Sequence, residues 1–551
     1  MNKIHKYLTV AAATVMMAAC SESKLDIEQR GTTGTEVYTT GGENEVNSLI
    51  AAVYSKVHGD AFQWYSMGGN ITDCAKSMRY ELARMGGEIS NYYKYNETSE
   101  SVTYSMVWAY YYKQAYWCTM IIENVPNNTN VSDALKTRVV AEARAVRAIA
   151  MMNLVQLFGN PPLADHVLTG SEPNTPAAES WAFIERELQA AAEQLPSKAS
   201  ADGQAAIGGR LTREAVYAYL GKAYLWQKKY NEAAQTLYTN VIATNKYALE
   251  PDYSALRSSS TDFSAENIWE FNFSDDPAYS NAQEGNFDIA CFGISTANIN
   301  VPSDWSHSQA WGNGAGASAS FGQFMAKHDL TADGQKSNRY RGTVAAYEDL
   351  IDETVYSYGD AAKGIISQVD NCEGYFNVKY QPMQADIVGG GYIYYQFTKK
   401  NTVYMRYSEV LLNYAEAVAM GGSAGSMSGL EALNIVRRRA GLADAPALDM
   451  ENADYGVKAE RQAELFYEGC RFIDLVRWGD APTVLANSGK NEYKFLGYKN
   501  GQNTTIQSPA EYNILVTPAV GVGFKAGKNE LFPIPQSDRN NNPSLQQNPG
   551  W

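Results

Sequence analysis

The stretch that most limits how this chain folds runs from Ala459 to Trp478, AERQAELFYEGCRFIDLVRW. Ala463, Phe466 and Tyr467 repeat at the three- and four-residue spacing of one helix face, the period of an amphipathic helix. Glu460, Arg461, Glu464, Glu468 and Arg471 set charge beside that face, and Gly469 is expected to stop or bend it. Phe472, Leu475, Val476 and Trp478 then resume a buried pattern around Asp474 and Arg477. Charges set this closely among large apolar side chains cannot all reach water. Arginine–carboxylate hydrogen bonds inside a core are therefore expected, strong when bidentate. No nucleophile or metal-ligand pattern accompanies them, so they read as braces between the last helices and the C-terminal segment, not as a catalytic pair.

The rest of the chain supplies helices for such a core. Glu45–Val57 is a short amphipathic helix, and Tyr104–Val125 carries Trp108, Tyr112, Ala115, Tyr116 and Ile122 on one broad face, which makes Trp108 core. Ser132 caps a helix over Asp133–Phe158, which ends at Gly159 before Pro161 and Pro162, the usual order of stop signals. Ala177–Leu195 is a further helix. Tyr217, Leu220, Gly221 and Tyr224, followed by Ala233 and Leu237, fall at tetratricopeptide-repeat positions. Gly221 and Ala233 are the small residues that let two such helices touch. A related, interrupted unit pairs Tyr404–Ala419 with Leu430–Ala440 across a glycine-rich loop. The expected fold is mainly α, a scaffold of tetratricopeptide-like helical pairs over residues 104–250 and 403–480.

Between these blocks the texture changes. Residues 60–100 and 267–400 read as a large loop-rich half with few short strands. Asn267–Phe273 alternates like a strand, Tyr392–Phe397 suggests a second, and Asn487–Ala526 reads as loop. Long irregular segments inside a folded protein tend to carry function. Trp64, Tyr65 and Tyr80 in the first loop region, with Tyr279, Trp305 and Trp311 in the second, are the candidate ligand-stacking aromatics. Their faces suit apolar ring faces, with neighbouring polar side chains left to bond hydroxyls. Asp275–Asp276, Asp329 with Asp333, and Asp349 with Asp352–Glu353 leave room for a structural calcium ion, although no EF-hand pattern is present. Gly421–Gly425 matches G-x-S-x-G, but a helix precedes it where the nucleophile elbow needs a strand. The histidines form no metal-ligand spacing.

The N-terminus reads as a targeting segment. Lys3, His5 and Lys6 precede an apolar run, Tyr7–Ala19, too short to span a bilayer. It ends Met17-Ala18-Ala19-Cys20, which resembles a bacterial lipobox, so residues 1–19 are expected to be a signal peptide and Cys20 the lipidated first residue of the mature chain. Residues 20–42 are polar and Gly/Thr-rich, a flexible tether, and 43–551 form one domain. A net charge of −15 argues against nucleic acid as a partner. The other cysteines, at 74, 118, 291, 372 and 470, are widely spaced and odd in number, so buried free thiols are expected.

The Glu460–Trp478 pattern E-R-x-x-E-L-x-x-E-G-x-R-x-x-D-L-x-R-W resembles the signature of the SusD/RagB family. The likeness extends to EARAVRAIAMMNLVQLFGNPPL (Glu142–Leu163), ENIWEF (Glu266–Phe271), YMRYSEVLLNYAEA (Tyr404–Ala417), ALNIVRRRAGL (Ala432–Leu442) and the closing LFPIPQSDRNNNPSLQQNPGW. The resemblance implies a lipid-anchored protein on the outer face of the outer membrane. There it would bind oligosaccharide without catalysis and act as a lid on a TonB-dependent, SusC-like barrel. No cofactor is expected, apart from the structural calcium ion. A peptide ligand and a surface glycosidase are the alternatives. The family's binding residues carry no short motif, so the aromatic candidates come from composition and position alone.

Overall fold

The structure is a computed structural model. It describes residues 35–58, 94–206, 208–273, 304–305, 316–346, 349, 369–370, 373–388, 397–488, 490–498, 512–518 and 523–551. The helical elements used below are α1 (Glu43–His58), α2 (Val102–Asn124), α3 (Asp133–Phe158), α4 (Ala177–Gln194), α5 (Arg213–Trp226), α6 (Tyr230–Asn240), α7 (Ala319–His328), α8 (Asn338–Thr343), α9 (Tyr407–Ala419), α10 (Gly429–Ala440), α11 (Val457–Glu464) and α12 (Arg471–Trp478). Ser132, Thr212 and Ser428 each accept a backbone N–H from the first turn of the helix they precede, satisfying donors that otherwise lack partners.

Helices α1 to α6 pack each on the next, and α6 passes the stack on to α9 and then α10. One apolar cluster runs through them all, from Val46 to Leu433 and on to Phe472. Close approach is what the small residues permit. A Cβ on Gly221 of α5 would overlap the Leu237 side chain of α6, and Ala233 is fully buried. Helical pairing thus follows the sequence reading, with the mainly α architecture as expected.

The strands are short. β1 (Asn267–Phe271) pairs antiparallel with β4 (Thr402–Arg406), Asn267 opposite Arg406 and Phe271 opposite Thr402. β2 (Val344–Ala346) pairs with β3 (Tyr375–Asn377). β5 (Asn491–Tyr498) and β6 (Tyr512–Pro518) form an antiparallel pair to which Val369–Asp370 adds a third strand.

Four expectations need correction. Tyr404–Arg406 is strand, not the start of a helix, because its backbone pairs with β1 and only then turns into α9. The stretch 487–526 holds β5 and β6 where loop was expected: the two strands pair with each other, and Val369–Asp370, far back in the chain, adds to β5. Within residues 20–42, expected to be tether, Val37–Thr40 is instead a helical turn with Tyr38 buried, and Asn128 Nδ2 donates to the Tyr38 and Gly41 carbonyls at 3.1 and 2.9 Å. Finally, α11 stops at Glu464, ahead of Gly469. The chain there turns through Tyr467, at φ +57°, and Gly469, at φ +69°. Tertiary contacts hold that turn: Phe466 stacks on Phe321 at 4.2 Å between ring centroids, and the Tyr467 carbonyl accepts from Tyr380 Oη at 3.2 Å.

The C-terminal strap lies over the helical stack. Phe532 N donates to the Leu157 carbonyl at 2.7 Å, Asn548 Nδ2 to the Phe158 carbonyl at 2.9 Å, and Trp551 meets Tyr104 edge-on.

Candidate functional site

The inner faces of α2, α3 and α5 do not close on the strands opposite. Between them, β1, β4, the 379–382 segment, the 467–470 turn and α12 lies a cavity of about 220 Å³. That is more than tenfold the ~10–15 Å³ a single water needs. One wall is aromatic: Trp269 of β1 packs 4.8 Å from Tyr404 of β4, and Tyr219 of α5 meets Trp269 edge-on at 5.8 Å. The amide side chains of Gln114, Gln156 and Asn401 also line it.

The charged residues of the signature stretch form the floor and the ground behind it. Arg406 sits at the junction, with Nη1 2.5 Å from Glu266 and 2.8 Å from Glu464, and Nη2 2.6 Å from Glu468. Glu464 also holds Arg339 at 3.2 Å and Arg439. Glu460 holds Arg339 at 2.5 Å and Arg437 at 2.8 Å. Beside the cavity Arg461 and Arg477 share Asp474, at 2.9 and 2.8 Å. These braces are buried, as expected, but their partners lie on α8, β4, α9 and α10 and, for Asp474, within the stretch itself. The strap meets the stretch through the rings of Phe472 and Phe532.

Two carboxylates line the cavity among the described residues, Glu468 and Asp474. Burial pushes the Glu468 carboxyl up, but the Arg406 and Lys379 cations outweigh burial and hold it below the ordinary range. For Asp474 burial is likewise overcome, by Arg461 and Arg477, which bring it to about 2. Both stay ionised at neutral pH. A general acid for glycoside cleavage needs the opposite, a carboxyl raised so that it keeps its proton.

Of the aromatic candidates, Trp64, Tyr65, Tyr80, Tyr279 and Trp311 lie outside the described residues, as does Cys20. Trp305 is described, and it is no open platform. Its ring is fully buried, Trp305 bridges to Met383, and the Arg257 guanidinium covers one face at 4.5 Å. Loop composition could not reveal that burial. Trp269 and Tyr404 were legible only as strand and helix residues, because the cavity they face is made by segments far apart in sequence.

Two acids of the acidic clusters have partners. Asp329 pairs with Arg339 at 2.8 Å, and Asp349 accepts from Ala346 N at 2.9 Å and binds Lys336 and Tyr340. Asp275, Asp276, Asp352 and Glu353 lie outside the described residues. Among the described residues no group of three or more His, Cys, Asp or Glu is placed to hold a metal ion. Ser423 of the G-x-S-x-G run bonds Asn231 in a loop after a helix. No described helix is long and apolar enough to cross a membrane.

Residues 265–551 match the family model described as the SusD family. The chain belongs to the SusD family. Residues 23–225 match a second model, described as starch-binding associating with outer membrane. A SusD-like protein of Bacteroides ovatus is 22% identical over 99% of this chain and 97% of its own length. Among solved structures, a laminarin-binding SusD-like protein superposes with a TM-score of 0.70 at 22% identity, covering 93% of this chain and all of the other. Surface glycan-binding protein A from Bacteroides thetaiotaomicron, in complex with laminarihexaose, gives 0.69 at 19% identity, covering 92% and 99%. The SusD-family fold is therefore shared along nearly the whole chain.

Proposed function

We propose that this SusD-family chain is a non-catalytic, glycan-binding lipoprotein of the outer membrane, anchored through Cys20 and facing the cell exterior. It would deliver oligosaccharide to a TonB-dependent, SusC-like barrel. The observation that carries the binding reading is the cavity: an aromatic wall, Tyr219–Trp269–Tyr404, faces a space also lined by amide side chains. Aromatic faces and amides are the chemistry that holds hydroxyl-bearing rings. The ion-paired Glu468 and Asp474 support a binder rather than a hydrolase. The laminarin and laminarihexaose named for the structural neighbours make β-glucan the first ligand to try. Trp64, Tyr65, Tyr80, Tyr279 and Trp311 remain proposed stacking residues.

The test is calorimetric titration of the mature chain with laminarin, other neutral polysaccharides and peptides, with product analysis alongside. Saturable glycan binding without released product is expected. Binding of peptide alone, or release of shortened glycan, would replace this reading. For the anchor, Cys20→Ala is expected to abolish fatty-acid labelling and outer-membrane retention; unchanged labelling would remove the lipoprotein assignment.

A further inference from the structure

Gln156 stands on the cavity-facing side of α3 and is 4% exposed. An amide offers two donors and an acceptor, and buried polar groups in folded proteins are almost always met. Yet no protein group bonds the Gln156 amide among the described residues, and neither of its polar atoms is sealed off inside the packing. Its partners must therefore come from whatever fills the cavity. Gln114, on α2, points the same way: its Nε2 donates to the Lys56 carbonyl at 3.4 Å, while its Oε1 takes no donor among the described residues.

We infer that the cavity takes one hydroxyl-bearing sugar ring, read by the Gln156 amide with Gln114 beside it and stacked against Trp269 and Tyr404. The donor and acceptor of one amide match two neighbouring hydroxyls on a ring, one accepting and one donating. The aromatic wall supplies an apolar surface for the ring face. The inference deepens the glycan-binding reading and rests on it. It makes Gln156 a specificity residue inside the scaffold.

A buried side chain that bonds nothing in its own protein can be replaced by an apolar one without weakening the fold. Gln156→Met is therefore expected to melt at or above the wild-type temperature. The same variant should lose at least tenfold affinity for whichever of laminarihexaose, cellohexaose, maltohexaose and xylohexaose the wild type binds best. Gln114→Met should lose less. Wild-type protein that binds none of the four, and no polysaccharide, overturns this inference together with the functional reading. Wild-type binding with Gln156→Met within twofold of it overturns this inference alone. So does a Gln156→Met chain that fails to fold, since that would give the amide a structural partner. A complex structure with only water on the amide would also overturn it.

Discussion

Arg406 Nη1 and Glu464 Oε1 stand 2.8 Å apart in the interior, joining the strand that lines the cavity to the end of the signature helix α11. Neither is a lone pair. Arg406 also serves Glu266 and Glu468, and Glu464 also serves Arg339 and Arg439. The cavity floor and the signature's run of charge are thus one construction, in which Arg406 and Glu464 each satisfy more than one neighbour. Buried charges persist only on those terms, because the loss of one strands the others in a low dielectric.

Removing Glu464 takes a carboxylate from three buried guanidinium groups at once. Glu464→Ala is expected to cost about 3–5 kcal/mol, read as a fall in denaturation midpoint at unchanged slope. Arg438→Ala is the control: that side chain pairs with Glu431 and Asp444 in the open, where ion pairs contribute little. Equal losses from the two variants would contradict the brace role.

Acid should weaken the fold. Asp474, ordinarily 3.8, is brought to about 2 by Arg461 and Arg477 against the opposing pull of burial, and Glu468 is also lowered by Arg406 and Lys379. A depressed carboxylate contributes stability that is fully present above its unfolded pKa and lost as pH falls through the folded one. For Asp474 the contribution is ~2 kcal/mol. The melting temperature should therefore drop steadily from about pH 5 toward 2. Asp262 acts oppositely: burial raises it to about 6 despite Lys400, so its contribution is lost as pH climbs from about 4 to 6. A flat melting profile between pH 5 and 3 would contradict the carboxylate assignment.

Cys118 and Cys470 should be inert in the folded chain. Both are buried and free. Burial raises the Cys118 thiol to about 12 although Arg147 pulls it down, and burial raises Cys470 further, helped by Glu409. Iodoacetamide at pH 8 is expected to leave both unlabelled until denaturant is added, since the thiolate is the reactive form. Peptide mapping that finds either alkylated in the native protein would refute this.

Gly221 is a packing glycine. A valine there would drive its side chain into Leu237 and part α5 from α6, an overpacking expected to cost about 1–3 kcal/mol. Thermal unfolding measures it, and an unchanged midpoint would mean the two helices can separate freely.

Much of this architecture is written in local patterns. Asp133–Phe158 runs from its Ser132 cap to its Gly159 stop as read, because capping and periodicity act within a few residues. The burial of Glu460, Glu464 and Asp474 was legible for the same reason: their apolar neighbours leave them nowhere else to go. What each of them grips was not legible. Arg339 reaches Glu460 across more than a hundred residues of chain, and no sequence spacing records that. Tyr404 read as helix and is strand, since β1 claims its backbone. Trp305 read as an open loop aromatic and is buried beneath Arg257. The cavity is the extreme case, for Trp269, Tyr404 and Gln156 come from separate elements and line one space only once the helices pack opposite the strands. Sequence by itself determined the helices and the fate of their charges, because those are short-range consequences of apolar spacing, while its motifs carried the resemblance to the family. Tertiary structure alone decided which side chains share the cavity, because that depends on where distant backbones meet.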